Sequence, residues 1–423
     1  MSLPHGLRAL ESRDFRLYAL GQGTSQTGIW LQMITTGWLL YEISGSSFLL
    51  GLGAFLQNIP FLFITPFAGV FLDRHELRPV LLVINVLYAL TSAALFALVA
   101  TGLVEPLYLL LGSLFSGILS AIDIPARQSL LIGLLTRRDA LPNAIALNAA
   151  LMTGARFVGP MIAGVVISVG GALAAYLLNT LMRLVGLAAL YMVKHSMTVR
   201  DRGSESVLKQ LAAGVRHVLG FKPGRLLLCL LAATSFTVQP YASLMPWFAR
   251  ERFGGGGSTL GMLIGAAGLG AMVGMVYLAN RSSIRGLFRV TGWSAAIGSG
   301  GLLWFSLTGR LALANVALFL TGFGIMLTAA AVNTILQSWA PDALRARIAS
   351  LYTVAFIGSM PLGALAAGAL AERIGPPLTL TVFGGCTLAG VAVYFWRLAA
   401  LGPAIEQLYD WLEPPPERAS RMP

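Results

Sequence analysis

The sequence predicts an all-α polytopic membrane protein of twelve transmembrane helices, arranged as two six-helix pseudo-symmetric bundles. Three observations carry that expectation. The chain of 423 residues is 56% hydrophobic and only 11% charged, with a mean hydropathy of +0.76. A soluble domain carries roughly 25% charged residues. The apolar residues come in runs of about 20, the length at which a helix crosses a hydrocarbon slab of about 30 Å. They lack the alternation of a membrane β-barrel. The basic residues, finally, are sorted by side. With the N-terminus inside, twenty-two of the 29 Lys and Arg fall in cytoplasmic segments. Four (Arg250, Arg252, Arg310 and Arg373) fall outside, and three (Arg127, Arg156 and Arg183) lie within spans.

The spans follow in order: 15–41, 47–72, 79–101, 106–135, 140–169 and 172–194, then 224–250, 258–280, 286–308, 311–338, 343–371 and 377–398. Gly159-Pro160 is expected to interrupt the fifth and Pro361 the eleventh, as membrane helices tolerate where neighbours satisfy the freed carbonyls. The charged start, Met1 to Arg16, and the long run after it predict no cleaved leader. The longest polar stretch divides the chain into an N-terminal bundle (1–194), a cytoplasmic linker (195–223), a C-terminal bundle (224–398) and a cytoplasmic tail (399–423). Within the linker, Ser206 to Leu219 has apolar residues at helical spacing, which predicts an amphipathic helix on the inner leaflet.

The halves repeat. Asp139-Ala140-Leu141 opens the fifth span and Asp342-Ala343-Leu344 the eleventh. A Gly-rich helix follows each, with Gly154, Gly159, Pro160 and Gly164 in one and Gly358, Pro361, Gly363 and Gly368 in the other. Six spans, a loop and six more is the parallel-repeat plan of a secondary transporter.

Composition also excludes chemistry. Cys229 and Cys386 lie in apolar segments and read as small core residues. His5, His75, His195 and His217 lie in loops or at helix ends, with no cluster of metal ligands. The Gly254–Gly257 run has no Lys-Ser or Lys-Thr after it and is no phosphate cradle. No enzyme, metal or cofactor is expected. The sidedness of the basic residues accounts for the net charge of +12 without nucleic acid.

The charge that demands a reason is Asp123, the one acidic residue deep inside an apolar span. A carboxylate there costs at least about 2.5–3.5 kcal/mol. At 1.5 Å per residue, Asp123 lies about 15–18 Å from its cytoplasmic helix end, and Arg156 and Arg183 about 16–20 Å from theirs. Arg127 follows Asp123 by one turn, with Pro125 between them. These four residues are the candidate proton-coupling or gating network. Three roles stay open for Asp123: proton exchange with an arginine that alternately pairs with it, a structural salt-bridge cluster with Arg127 reaching Asp73, and direct substrate contact.

Between spans two and three, Gly69, Asp73, Arg74 and Arg78 follow the spacing Gly-x-x-x-Asp-Arg-x-x-x-Arg and form a candidate cytoplasmic latch. This resembles the signature loop of the major facilitator superfamily, departing from it at His75-Glu76, where a glycine is common. The motif Gly154, Gly159, Pro160 and Gly164 resembles the helix-bending Gly-Pro motif that the superfamily associates with exporters. Asp123-Ile124-Pro125-Ala126-Arg127-Gln128, Asn143 to Asn148 and Arg156 to Pro160 are similar to the enterobactin-exporter-like branch. So are Asn333 to Gln337, Pro341-Asp342 and Arg345-Ala346-Arg347. The resemblance covers roughly residues 10–400.

It implies a major facilitator fold in the inner membrane, monomeric, with both termini cytoplasmic. It further implies efflux of a small or medium organic molecule (a siderophore, macrolide or other drug-like compound) by alternating access. Proton antiport would supply the energy. A lipid or lysolipid flippase of the same fold, or an importer, are the alternatives. Spans one, two and seven line the cavity in this superfamily, which nominates Gln22, Gln26, Trp30, Gln57, Asn58, Phe236, Gln239 and Tyr241 as substrate contacts.

Overall fold

The computed structural model describes residues 5–134, 141–194, 221–281, 283–341 and 344–412, nearly all of them helical. A 3-10 turn, His5–Glu11, leads into α1 (Arg13–Ser44). Ser12 and Ser46 cap α1 and α2 (Ser47–Asp73), their hydroxyls accepting from the Phe15 and Leu49 amides at 3.4 and 3.2 Å. The chain continues through α3 (Leu77–Ala100) and α4 (Pro106–Gly133), whose first residue is a proline, as suits the first turn of a helix.

The element α5 runs over 51 residues, Leu141–Tyr191, and contains both the fifth and the sixth span. It breaks at Gly171 (φ 66°, ψ −169°), a conformation open to glycine but not to residues with a Cβ. The interruption expected at Gly159-Pro160 is not a break. The backbone stays helical through both residues and leaves helical geometry at Gly171.

Span seven, expected as one helix, is divided into α6 (Lys222–Thr237), a turn at residues 238–240 and α7 (Tyr241–Trp247), followed by a π-helical turn, Phe248–Arg252. Pro240, without an amide hydrogen, closes that turn. Next come α8 (Gly257–Ala279), α9 (Leu287–Leu307) and α10 (Leu311–Trp339). Span eleven is α11 (Arg345–Thr353), a π-helical turn (Val354–Gly358) and α12 (Ser359–Ile374). Pro361 has no amide hydrogen for the carbonyl of Ile357, so the expected interruption falls one turn earlier, in the π-turn. The chain ends in α13 (Pro376–Ala400) and α14 (Gly402–Leu412).

Among the described residues, nine helical stretches are long and apolar enough to cross a membrane. One of the nine is α5, which holds two spans; α1 and α9 are not among the nine. With the two arms of α5 counted separately, and α1 and α9 added, the twelve helices are complete. Glutamine and threonine dilute the hydropathy of α1, and glycine and serine that of α9. Large apolar side chains point outward, among them Phe63, Phe67, Val169 and Trp396, as a surface solvated by acyl chains requires.

The backbone divides into two compact units. One is Met1–Ser204 with Ser243–Gly265; the other is Glu205–Ala242 with Ala266–Pro423. In the first, Phe15, Leu77, Leu81, Leu130 and Leu190 form an apolar cluster beside the polar interior taken up below. In the second, Phe288, Val332, Ile335, Val391 and Tyr394 form the core, and the buried Ile405, Leu408 and Tyr409 of α14 join it. Arg285 ties α14 down through Asp410 at 2.6 Å. Burial pushes the Tyr409 phenol above its ordinary range. The residues expected in the linker helix, Ser206 to Leu219, and the aspartates 139 and 342 lie outside the described residues.

Candidate functional site

Polar side chains on α4 recur at Ser113, Ser116, Ser120, Asp123 and Arg127, alternate steps of three and four residues that put them on one helix face. On α3 the same spacing gives Asn85, Tyr88 and Ser92, and on the second arm of α5 Tyr176, Asn179 and Arg183; on α1, steps of four give Tyr18, Gln22 and Gln26. All belong to the first unit and all are buried. In hydrocarbon a buried polar group without a partner is expensive, so such stripes must face one another.

They do so at Arg127. Its Nε donates to both carboxylate oxygens of Asp123, at 2.9 and 2.8 Å. Nη1 donates to Gln22 Oε1 at 3.0 Å, and Nη2 to Asn85 Oδ1 at 3.1 Å. The Asn85 amide nitrogen donates to the Leu81 carbonyl at 2.7 Å, which fixes the oxygen toward the arginine. Asp123 is 1% exposed and Arg127 4%. At that burial the pair needs close geometry and additional hydrogen bonds to offset its desolvation, and Gln22 and Asn85 supply them. The Tyr18 hydroxyl donates to Asn148 Oδ1 at 3.2 Å and lies 3.4 Å from the Arg127 carbonyl. Pro125, between the two charges, leaves the Ala121 carbonyl without its helical donor; the Thr65 hydroxyl of α2 lies 3.5 Å from it. A small cleft opens beside this cluster, lined by Tyr18, Gln22, Gln26, Arg127, Gln128 and Asn148.

A second cluster lies along the same helices. The Tyr88 hydroxyl meets Ser120 Oγ at 2.5 Å. Gln32 donates to Ser116 Oγ at 3.1 Å and accepts from the Asn179 amide at 2.8 Å, and that amide also donates to Ser92 Oγ at 2.8 Å. The Arg183 guanidinium lies over the Tyr88 ring, 4.1 Å from its centroid. Its Nε and Nη1 have no acceptor among the described residues.

Of the arginines placed at Asp123's depth, Arg127 therefore closes on it, Arg183 stacks on Tyr88, and Arg156 lies over Trp30 at 5.3 Å. In the first turn of α3, Arg78 Nη2 donates to the Tyr191 carbonyl at the end of α5, at 2.7 Å, and Arg74, just after α2, is exposed. Gly69 has open space around it. The side chain of Asp73, and with it any pairing in the latch, lies outside the described residues. Gly159 and Gly164 are close-packing positions. A Cβ on Gly159 would stand 2.5 Å from Trp30 Cβ, and one on Gly164 2.7 Å from the Gly257 carbonyl and the Gly261 Cα. Gly154 has nothing within 4 Å of the same point.

The nominated cavity residues divide between the units. Gln22, Gln26, Trp30, Gln57 and Asn58 are in the first; Phe236, Gln239 and Tyr241 are in the second. Gln22 is engaged by Arg127, and Asn58 donates back to the Ala54 carbonyl of its own helix at 2.9 Å. Gln239 and Tyr241 are buried on either side of the Pro240 turn, and the Phe236 ring lies 6.2 Å from that of Phe383. Sequence reasoning missed Tyr18, Tyr88, Ser116 and Ser120 as members of the network. The signal was present as helical spacing, three and four on α3 and α4 and four on α1, but serines and tyrosines carry little weight singly.

The twelve-helix membrane fold with its buried ion pair, taken with the family match and relatives that follow, makes this chain a transporter of the major facilitator superfamily rather than an enzyme. The chain matches the transmembrane secretion effector family over residues 6–417 and belongs to it. Its relatives include a staphyloferrin A transporter of Staphylococcus aureus, 21% identical over 373 residues, which are 87% of this chain and 92% of that protein. The multidrug efflux pump Tap of Mycolicibacterium fortuitum is 25% identical over 394 residues, 89% and 94% of the two chains. Among solved structures, the nucleoside transporter NupG shares the fold with a TM-score of 0.68 at 11% identity, covering 90% of this chain and 98% of that one. A bacterial homologue of the human lysosomal transporter Spinster, inward-facing and occupied, does so with 0.69 at 15% identity, covering 91% and 96%.

Proposed function

We propose that this transporter exports a small or medium organic molecule, of the siderophore, macrolide or drug-like class, across the cytoplasmic membrane by alternating access. It works as a monomer with both termini cytoplasmic, and exchanges substrate for protons at Asp123. The observation that carries the coupling is the Asp123–Arg127 pair. It holds a carboxylate that is 1% exposed, and Arg127 lines a small cleft together with the amides of Gln22, Gln26, Gln128 and Asn148. The outward direction is supported by the Gly159-Pro160 motif and by a relative named as a multidrug efflux pump. The amides of Gln22, Gln26, Gln128 and Asn148 around that cleft suit a partly polar ligand.

Proteoliposomes loaded with a carboxylate siderophore, a macrolide or a cationic dye test this. An inward proton gradient should drive efflux in the wild type, and Asp123→Asn should lose the response to the gradient. Full gradient-driven efflux by Asp123→Asn would remove Asp123 from the coupling. A second reading, lipid flipping, is favoured by one observation. An apolar cleft between α3 and α4, lined by Leu95, Leu98, Tyr108, Leu111 and Phe115, lies among outward-facing side chains. Translocation of a fluorescent phospholipid in the same vesicles, with no efflux of the soluble compounds, would select it.

A further inference from the structure

Arg183 has no role in the pair described so far. It is 1% exposed, its guanidinium rests on a neutral ring, and two of its donor nitrogens have no acceptor among the described residues. The unused acceptor beside it is Asn179 Oδ1, and a single point next to Gly28 lies 2.7 Å from that oxygen and 3.8 Å from Arg183 Nε. An amide is neutral and does not balance the charge. A guanidinium does not lose its proton, so a buried one is retained where an anion neutralises it in some state of the protein.

The acid that this packing leads to is Asp123: Arg183 lies over the Tyr88 ring at 4.1 Å, and the Tyr88 hydroxyl meets Ser120 Oγ at 2.5 Å, one helical turn before Asp123 on α4. The groups that face Asp123 are Arg127 on its own helix, Tyr18 on α1, Tyr88 on α3 and Arg183 on α5. Of these, two are cations. Each nitrogen of Arg127 already has an acceptor, in Asp123, Gln22 or Asn85. Arg183 has donors to spare.

We propose that Arg183 is the second counter-cation of Asp123. The carboxylate pairs with Arg127 in the conformation described here and passes to Arg183 when Arg127 is drawn away, with the Tyr88 ring dividing the two positions. This deepens the proton-exchange reading above and rests on it. A carboxylate that exchanges protons in a membrane needs a cation nearby whenever it is ionised, or its burial in the second state is uncompensated. Two arginines at different heights on two helices let the charge move without leaving it alone. Arg183 is on this account a positioning residue, acting through Asp123 and not on the substrate.

The test reads the protonation of Asp123 directly. Dicyclohexylcarbodiimide modifies buried carboxyls only in their protonated form, and mass spectrometry of the peptide containing Asp123 reports the extent across pH. Purified wild type, Arg127→Gln, Arg183→Gln, Arg183→Lys and the double glutamine variant are compared. Removing Arg183 should move the midpoint of labelling to higher pH by about one unit, the effect of losing a nearby opposite charge. Arg183→Lys, which keeps the charge and guards against misfolding, should stay near the wild type. Because Arg183 takes over when Arg127 is gone, the double variant should shift by more than the sum of the single shifts. An unchanged midpoint in Arg183→Gln, strictly additive shifts, or no pH-dependent labelling of Asp123 in any variant would overturn the proposal. Labelling needs neither substrate nor gradient, so it separates this outcome from a failure of the export reading, which rests on Asp123→Asn in vesicles.

Discussion

In the first unit Asp123, Arg127 and Arg183 are buried together with Gln22, Asn85, Tyr88 and Asn179. In the second unit no charged side chain is buried among the described residues. There α9 meets α10 through glycines: a Cβ on Gly324 would stand 2.3 Å from the Gly298 amide nitrogen. The polar contacts of that interface are hydroxyl pairs, such as Ser294 with Thr328 at 2.8 Å, and Ser306 with Thr381 of α13 is another at 2.8 Å. Neutral hydroxyls satisfy one another or the carbonyl one turn back, and among the described residues of this unit no carboxylate, histidine or cysteine is buried. The first unit has a carboxylate. Among the described residues, the buried charges therefore fall in the first unit, and the second is held by small residues and neutral hydroxyls.

That difference can be broken by substitution. The largest effect is expected from Arg127→Gln, which removes the cation paired with Asp123 here and the donors that hold Gln22 and Asn85. Breaking a buried pair in this way costs about 3–5 kcal/mol. It should appear as a large fall in the thermal midpoint of the detergent-solubilised protein, partly restored by Asp123→Asn in the same chain. If Arg127→Gln unfolds at the wild-type temperature, the pair is not what organises the first unit. Gly324→Val addresses the second unit. Overpacking a close interface costs about 1–3 kcal/mol. The variant should lose stability while Asp123 labels at the wild-type pH, and a shifted labelling midpoint would show that the units do not divide the work as stated. The smallest effect is expected at Thr65→Val. Losing one neutral hydrogen bond to the carbonyl that Pro125 frees should lower stability by about 1 kcal/mol, read by the same thermal melts. No change there would mean that the long contact at 3.5 Å contributes nothing.

Much of the fold was legible in the chain because its signals are local. Hydropathy and run length place the spans, and the break between spans five and six falls at Gly171, where a short interval was expected between residues 169 and 172. The divided seventh span was not legible. Pro240 was visible, but prolines inside membrane helices are often tolerated, and whether one breaks the helix depends on what its neighbours offer the freed carbonyls. The helical α14 was read only as a tail, because its few apolar residues gain burial from the core they join rather than from their own segment.

The same division applies to the candidate site. Sequence alone determined that Asp123 needs a reason, that Arg127 is one turn from it, and that Arg156 and Arg183 lie at similar depth. These follow from rise per residue and from the expense of charge in hydrocarbon. Which arginine closes on the carboxylate was decided only by tertiary structure. Depth is set by counting along a helix, whereas pairing is set by how each helix is turned about its own axis against its neighbours. That turn places Arg156 over Trp30 and Arg183 over Tyr88, and leaves Asp123 to Arg127.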